Sequence, residues 1–234
     1  MPPSLIIFDL DGTLIDSAAG LAAAINSMLA AFGREPLSVP DVQRMIGDGV
    51  AMLVGRALAA RQCEQADSAA AVGLFMRHYE SEAMRHTTAF PGVERALQSL
   101  TAAAIPLAVC TNKPARLAAG ILASLGLARY FARVVGGDSL PFQKPDPRVL
   151  LAILEAFATR PDGALLVGDS EVDAATARAA GVSFVLMKHG YHRGAVEAIP
   201  CLAALEGFAE LPALVRGPGA PTRAGNGGAA PPSV

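Results

Sequence analysis

The sequence is short of charge, of cysteine and of long apolar runs. Only 17% of the 234 residues are charged against 52% that are hydrophobic, which excludes a chain disordered over most of its length. Nineteen lysines and arginines face 21 aspartates and glutamates, so the net charge of -2 provides no broad cationic surface. We therefore expect no nucleic-acid partner and no attraction to anionic membranes.

The scarcity of cysteine and of long apolar runs indicates the cellular compartment of the protein. Cys63, Cys110 and Cys201 are odd in number and widely spaced, a pattern that favours reduced thiols. No apolar run reaches the roughly 18 to 20 residues that a membrane-spanning helix needs. The first apolar run ends at Asp9 and follows no basic segment, so we expect no signal peptide. These features predict a cytoplasmic protein without membrane contact.

What the sequence does have is an alternation of short apolar strands with helical segments. The predicted strands are Ser4–Leu10, Ile105–Cys110, Arg133–Val135, Ala164–Val167 and Ser183–Met187. The predicted helices between and around the later strands are Val93–Ala103, Ala115–Leu125, Pro147–Ala158 and Glu171–Ala180. This alternation predicts an α/β fold, with a parallel sheet covered by helices on both faces.

The segment after the first strand differs, because it is helical without any convincing strand between residues 38 and 86. Its predicted helices are Ser17–Phe32, Asp41–Met45, Val50–Ala60 and Ala66–Arg85. We predict that residues 17–88 form an inserted all-helical cap, while residues 1–16 and 89–215 form the α/β core. Residues 216–234 are rich in Gly, Pro and Ala without apolar periodicity and are predicted to be a disordered tail.

The first polar cluster, Asp9-Leu10-Asp11-Gly12-Thr13, comes at the end of a predicted strand. Ligands of such sheets bind at the carboxyl ends of the strands. Asp9 is a candidate nucleophile, because a carboxylate can attack phosphorus in line and form an acyl phosphate. Asp11 is a candidate general acid and base for the leaving alcohol and the incoming water. A simple strand-ending turn is the alternative interpretation.

Two further clusters offer groups that suit a phosphate. Thr111 ends a predicted strand, and its hydroxyl with the backbone N–H groups that follow suits a phosphate oxygen. Lys144 lies among turn residues, where its ammonium needs little ordering to meet a phosphoryl group. Taken alone, Thr111 could be a helix cap and Lys144 a solvated surface residue.

The fourth cluster, Gly168-Asp169-Ser170-Glu171-Val172-Asp173, follows another predicted strand. Asp169 is a candidate Mg²⁺ ligand, and Asp173 could hold a metal-bound water or orient Lys144. A capped helix with acidic residues near its N-terminus is the alternative. Together the four clusters supply a nucleophile, an acid and base, a phosphate anchor, a cation and a metal ligand.

These clusters resemble the four motifs of the haloacid dehalogenase-like hydrolase superfamily, here DLDGT, TNK, KPDP and GDSEVD in order. Longer strings resemble its phosphoglycolate phosphatase group. They include FDLDGTLIDS, IGDGVAMLVGRAL, AVCTNKP, GGDSLPFQKPDP and VGDSEVDAATARAAG. The resemblance covers about residues 5 to 195 and implies a Rossmann-like, doubly wound core with a small helical cap.

The resemblance also implies roles for individual residues. Asp9 and Asp169 would bind Mg²⁺ through their side chains and Asp11 through its backbone carbonyl, with Asp173 behind them. Thr111 and Lys144 would hold the transferring phosphoryl group. The implied reaction is hydrolysis of 2-phosphoglycolate, a small phosphorylated metabolite, to glycolate and phosphate.

Substrate contacts are expected from both parts of the chain. Asn112 beside Thr111 is one candidate, and the cap supplies Gly47 and Gly49 in a loop over the site together with Arg56. A glycolate carboxylate calls for a second cation, for which the candidates are Arg44, Arg56, Lys113 and His189. We expect a monomer or a homodimer.

Other functions on the same motifs stay open. A phosphatase for another small phosphoester, such as a sugar phosphate, and a sugar phosphomutase both keep all four motifs. A dehalogenase would lack the acid at Asp11. A phospho-accepting receiver domain of signalling proteins would be shorter, without the helical insertion and the GDxxxD element. A catalytically silent binding protein would not need the full set of catalytic residue types.

Overall fold

The computed structural model describes residues 2–63 and 66–217. The strands are β1 (Leu5–Phe8), β2 (Ile15–Asp16), β3 (Thr88–Ala89), β4 (Leu107–Cys110), β5 (Arg133–Val135), β6 (Ala164–Gly168), β7 (Ser183–Met187) and β8 (Ala203–Leu205). The α-helices are α1 (Ala18–Ala31), α2 (Val39–Gln43), α3 (Val50–Ala60), α4 (Ser68–His86), α5 (Val93–Ala102), α6 (Ala115–Ser124), α7 (Arg148–Ala156), α8 (Glu171–Ala180) and α9 (Leu211–Arg216).

Six strands form one parallel sheet in the order β5-β4-β1-β6-β7-β8. The chain builds one side of the sheet with β4 and β5, then crosses β1 to build the other side with β6, β7 and β8. Such a reversal of strand order next to β1 opens a crevice at the carboxyl ends of the central strands. The sheet confirms the predicted Rossmann-like α/β core.

The strands are continuous apolar runs because helices cover both faces of the sheet. Alternate residues of β1 enter opposite cores: Ile6 and Phe8 pack into one, Leu5 and Ile7 into the other. All four side chains are fully buried. Burial of apolar surface stabilises the fold. Strand β1 therefore lies in the interior of the molecule, between two apolar cores.

The helices α1 to α4 form a separate bundle inserted between β2 and β3. Buried side chains of α1 and α4, including Met28, Phe75 and Tyr79, continue the core of one sheet face into the bundle. The two short strands pair antiparallel, with Ile15 opposite Ala89, so the chain leaves and re-enters the core at one place. This pairing supports residues 17–88 as the proposed bounds of the cap.

Four elements were not predicted from the sequence. The strands β2 and β3 have two residues each, β8 has three, and α9 is a six-residue helix at the end of the described chain. Helix α9 includes Arg216, the first residue of the predicted tail, and the remainder of that prediction at 218–234 lies outside the described residues. Within residues 2–63 and 66–217, no helix has the length and apolarity needed to span a membrane.

Candidate active site

The four polar clusters meet at the carboxyl edge of the sheet. Asp9 follows β1, Thr111 follows β4 and Asp169 follows β6, which are three adjacent strands. Lys144 reaches the same edge from the loop between β5 and α7. All four side chains are buried, although charged groups are rarely buried unless they are paired.

Lys144 is the centre of a buried chain of charges. Its Nζ atom lies 2.7 Å from Oδ1 of Asp9 and donates to Oδ1 of Asp173 at 2.6 Å. The other oxygen of Asp173 accepts from the Ser170 hydroxyl at 2.6 Å and from the backbone N–H groups of Asp169 and Ser170. Asp173 therefore orients Lys144, which in turn lies against Asp9.

Asp169 is held by the loops on either side. Its Oδ1 accepts from the Thr13 hydroxyl and its Oδ2 from the backbone N–H of Tyr191, each at 2.6 Å. Gly12 and Gly190 lie so close that an added Cβ atom at either position would overlap the Asp169 carboxylate. Gly12 also has a φ of 87°, a left-handed conformation that favours glycine. The loops therefore fix the orientation of Asp169.

The carboxylates suit a divalent cation. Asp9, Asp169 and Asp173 each bring one oxygen within 4.8 Å of the others, and all three are buried. Lys144 supplies one positive charge to this group of three acids, so the group carries an excess of negative charge. A hard cation with oxygen ligands would balance that charge, and Mg²⁺ is one such ion.

Burial and the excess of negative charge also shift the pKa values of the groups in this site. Burial raises the pKa of Asp9 to about 7, although the charge of Lys144 opposes the shift. Burial, reinforced by the charges of Asp173 and Asp9, also raises the pKa of Asp169. Burial would lower the pKa of Lys144, but the charges of Asp173 and Asp9 raise it above its ordinary value. Lys144 is therefore an ammonium, and a further cation would stabilise the ionised form of the acids.

Asp11 points away from this group toward the cap. Its Oδ1 accepts from the Ser17 hydroxyl at 2.5 Å and from the Lys113 ammonium at 2.6 Å. Lys113 also donates to the phenol of Tyr79, which comes from α4 of the cap. Two carboxylates separated by one residue thus have different environments, as separate roles in catalysis require.

Thr111 and Asn112 differ in what their side chains do. The Thr111 hydroxyl accepts from the backbone N–H of Lys113, and the residue lines the cavity beside Asp9. The amide of Asn112 donates to the carbonyls of Gly47 and Lys144 and accepts from the N–H of Lys144. Asn112 therefore connects the loop that carries Lys144 to the cap loop through hydrogen bonds.

The cap loop closes over this edge of the sheet. Gly47 and Gly49 line a cavity together with Asp9, Asp11 and Thr111. The other lining residues are Leu21, Ile46, Val50, Leu53, Tyr79, Asn112 and Lys113. The cavity is thus shared between the cap and the core.

Asp48 joins the cap loop to the core. Its carboxylate pairs with Arg56 of α3 at 2.5 Å and with Arg193 of the core. Arg193 also donates to the carbonyl of Ile46 at 2.9 Å, and Gln143 donates to the Asp48 carbonyl at 3.3 Å. Arg56, a predicted substrate contact, therefore lies in this cap–core junction.

Of the four candidates for a second cation, one reaches the cavity. Arg44 forms an exposed ion pair with Asp41. The ring of His189 packs on Phe90, with ring centroids 4.1 Å apart. Lys113 lines the cavity with its ammonium buried.

Several contributing residues were not singled out from the sequence. Thr13 and Tyr191 hold Asp169, Tyr79 binds Lys113, and Arg193 binds the cap loop. Thr13 lies inside the first motif and Tyr191 inside a glycine-rich loop, so both had a local signal. Arg193 lies in the same loop as Tyr191, whereas Tyr79 had no such signal, because helical periodicity alone assigns it to the core.

Comparison with known proteins gives consistent results. A family model for haloacid dehalogenase-like hydrolases matches residues 6–187. The chain is 44% identical to a phosphoglycolate phosphatase of Rhodospirillum rubrum over 215 residues, covering 89% of each chain. It is also 44% identical to phosphoglycolate phosphatase 1 of Pseudomonas aeruginosa over 197 residues, 82% of this chain and 72% of that one.

A solved structure has the same fold. The crystal structure of a predicted phosphoglycolate phosphatase from Haemophilus somnus superposes with a TM-score of 0.83 at 32% sequence identity. The superposition covers 89% of this chain and 96% of that one. The similarity thus includes the cap as well as the sheet.

Proposed function

Since the chain belongs to the haloacid dehalogenase-like hydrolases, we propose that it is a Mg²⁺-dependent phosphatase that hydrolyses 2-phosphoglycolate to glycolate and phosphate. The observation that carries the proposal is the buried group of Asp9, Lys144, Asp169 and Asp173 at the sheet edge. The similarity to named phosphoglycolate phosphatases supports the substrate. The enzyme is a phosphoric monoester hydrolase.

The first chemical step forms a covalent intermediate on Asp9. A carboxylate oxygen of Asp9 attacks phosphorus, and the bond between phosphorus and the ester oxygen breaks. Asp11 donates a proton to the departing glycolate oxygen. Lys144, 2.7 Å from Asp9, and Thr111, which lines the same cavity, bind the oxygens of the phosphoryl group.

The second step hydrolyses the aspartyl-phosphate. Asp11 takes a proton from a water molecule, which attacks phosphorus and releases phosphate while the Asp9 carboxylate re-forms. The side chains of Asp9 and Asp169 and the backbone carbonyl of Asp11 would hold Mg²⁺, with Asp173 as support. The ion supplies positive charge against the negative charge of the transferring group.

The cap loop has a separate role. Gly47 and Gly49 close the cavity above Asp9, and Asn112 holds that loop through the Gly47 carbonyl at 3.0 Å. Closure limits the access of bulk water, which would otherwise compete with Asp9 as the nucleophile and screen the charges. Arg56 acts on the substrate through this loop, because its guanidinium pairs with Asp48.

The partner we propose is a small phosphorylated metabolite, and the chain acts as a monomer or homodimer in the cytoplasm. The free thiols of Cys63, Cys110 and Cys201 suit a reducing compartment.

Phosphate release from a panel of small phosphoesters tests the function. The panel contains 2-phosphoglycolate, glucose phosphates, phosphoserine and pyrophosphate, each with Mg²⁺ and with EDTA. We expect 2-phosphoglycolate to lead in kcat/KM by at least about tenfold and activity to vanish with EDTA. If a glucose phosphate leads instead, the substrate assignment is wrong and the chemistry stands. If activity survives EDTA, the role of the metal is wrong.

A further inference from the structure

Lys113 is a buried cation whose position the phosphoryl chemistry leaves unexplained. Its side chain is 2% exposed, and its ammonium lies 2.6 Å from Oδ1 of Asp11. Lys144 already supplies the cation that faces Asp9. A second buried lysine on the leaving-group side of the cavity therefore has another use.

Two of the three donors of the ammonium have partners among the described residues. One proton is donated to Asp11 and one to the phenol of Tyr79. The ammonium also lies 4.8 Å from the centre of the Tyr79 ring. A lysine ammonium has three N–H donors. The remaining donor is available to a ligand in the cavity that Lys113, Asp11 and Tyr79 line together.

The other candidate cations are engaged elsewhere. Arg44 is exposed, Arg56 pairs with the cap-loop carboxylate, and His189 packs on an aromatic ring. Lys144 pairs with two carboxylates of its own. Lys113 is therefore the best-placed cation for a second anionic group of the substrate.

The distance from Lys113 to Asp11 decides which anionic group it can reach. If Asp11 protonates the ester oxygen, that oxygen lies within hydrogen-bond distance of the Asp11 carboxylate. In 2-phosphoglycolate a single methylene separates the ester oxygen from the carboxylate carbon. An ammonium 2.6 Å from Asp11 therefore lies within reach of a carboxylate on the adjacent carbon.

We propose that Lys113, positioned by Tyr79, binds the substrate carboxylate and selects phosphoesters that carry a carboxylate one carbon from the ester oxygen. The inference deepens the proposed function and depends on it. Tyr79 belongs to α4 of the cap, whereas Lys113 belongs to the core. The cap thus contributes to substrate choice through the orientation of a core lysine.

The experiment compares two substrates of similar size, of which one has a carboxylate where the other has an uncharged hydroxymethyl group. The kcat/KM values for 2-phosphoglycolate and for 2-hydroxyethyl phosphate are measured in the wild type and in Lys113→Met. Methionine keeps most of the length without the charge. Any effect of the substitution on Asp11 chemistry applies to both substrates and cancels in their ratio. The matched control is Lys188→Met, which removes a partly exposed lysine outside the cavity.

A charge-assisted hydrogen bond corresponds to a factor of about 10 to 100. We therefore expect the preference for 2-phosphoglycolate to fall by about 10- to 100-fold in Lys113→Met, with a rise in KM, and to stay unchanged in Lys188→Met. An equal loss for both substrates would overturn the inference. If the wild type does not hydrolyse 2-phosphoglycolate, the proposed function itself fails.

A second variant keeps the test decisive if Lys113→Met does not fold. Tyr79→Phe retains the ring, which stacks on Phe75 with centroids 4.9 Å apart, and removes only the hydroxyl that contacts Lys113. We expect the preference for 2-phosphoglycolate to fall by about 3- to 10-fold. An unchanged preference in Tyr79→Phe would contradict the inference.

Discussion

The ammonium of Lys144 lies 2.7 Å from the Oδ1 atom of Asp9, the residue that leaves the central strand of the sheet. Both side chains are almost fully removed from solvent. The proposed attack of this buried carboxylate on phosphorus requires a fixed position and a compensating charge, and Lys144 provides both. Asp173 fixes the lysine in turn, at 2.6 Å.

Loss of the Lys144 ammonium is expected to destabilise the fold as well as stop catalysis. Lys144→Met leaves Asp9 and Asp173 buried without their counter-ion, and breaking a buried pair costs about 3–5 kcal/mol. Urea unfolding without metal measures the change. Lys188→Met, whose ion pair with Glu206 is exposed, is the control and should leave the midpoint almost unchanged. Equal midpoints for both variants would contradict this description of the site.

Gly190→Ala should weaken metal binding through Asp169. The new Cβ atom would overlap the Asp169 carboxylate, so that side chain must move. We expect the Mg²⁺ concentration for half-maximal activity to rise by about tenfold or more, as for other groups that orient a metal ligand. Gly207→Ala is the control, because nothing lies within 4 Å of the added atom. An unchanged Mg²⁺ requirement in Gly190→Ala would exclude a ligand role for Asp169 in this orientation.

Asp48→Asn should loosen the contact between cap and core. Burial would raise the pKa of Asp48, but hydrogen bonds from Arg56 and Arg193 hold it below its ordinary value of 3.8. The ion pairs therefore contribute fully above pH 4 and are lost as the pH falls through the lowered pKa. We expect a higher KM with a smaller change in kcat at neutral pH.

The pH dependence of stability tests the same junction. The difference in urea midpoint between the wild type and Asp48→Asn should be present at pH 6 and shrink as the pH falls below 3.8 through the lowered pKa of Asp48. Asp162→Asn, which removes an exposed ion pair with Arg160, is the matched control. A difference that grows as the pH falls would have the wrong sign for a stabilising ionised Asp48.

Much of the fold could be predicted because local signals and tertiary packing agree. The elements Val50–Ala60, Arg133–Val135, Glu171–Ala180 and Ser183–Met187 have the predicted bounds. The strands β2 and β3 could not be found this way, because two residues carry no periodicity and their pairing depends on the chain returning from the cap. The edge strand β8 is similarly short and half-exposed.

The residues at the strand ends of the site could be predicted from the sequence, whereas the contacts between side chains of the cap and the core could not. Asp9, Thr111, Asp169 and Lys144 follow strand ends or turns, so sheet topology alone brings them together. The contact between Lys113 and Asp11 joins residues 102 apart through a side chain that sequence alone left among four candidates. Contacts between cap and core depend on how the inserted bundle packs on the sheet, which short motifs do not specify.

Phosphate release from 2-phosphoglycolate by Asp9→Asn, measured beside the wild type with saturating Mg²⁺, tests the central claim most directly. The asparagine side chain has nearly the same shape but cannot attack phosphorus as a carboxylate does. We expect the rate to fall by at least about 10³-fold while the far-ultraviolet circular dichroism stays the same. A rate within tenfold of the wild type would show that Asp9 is not the nucleophile and would contradict the account.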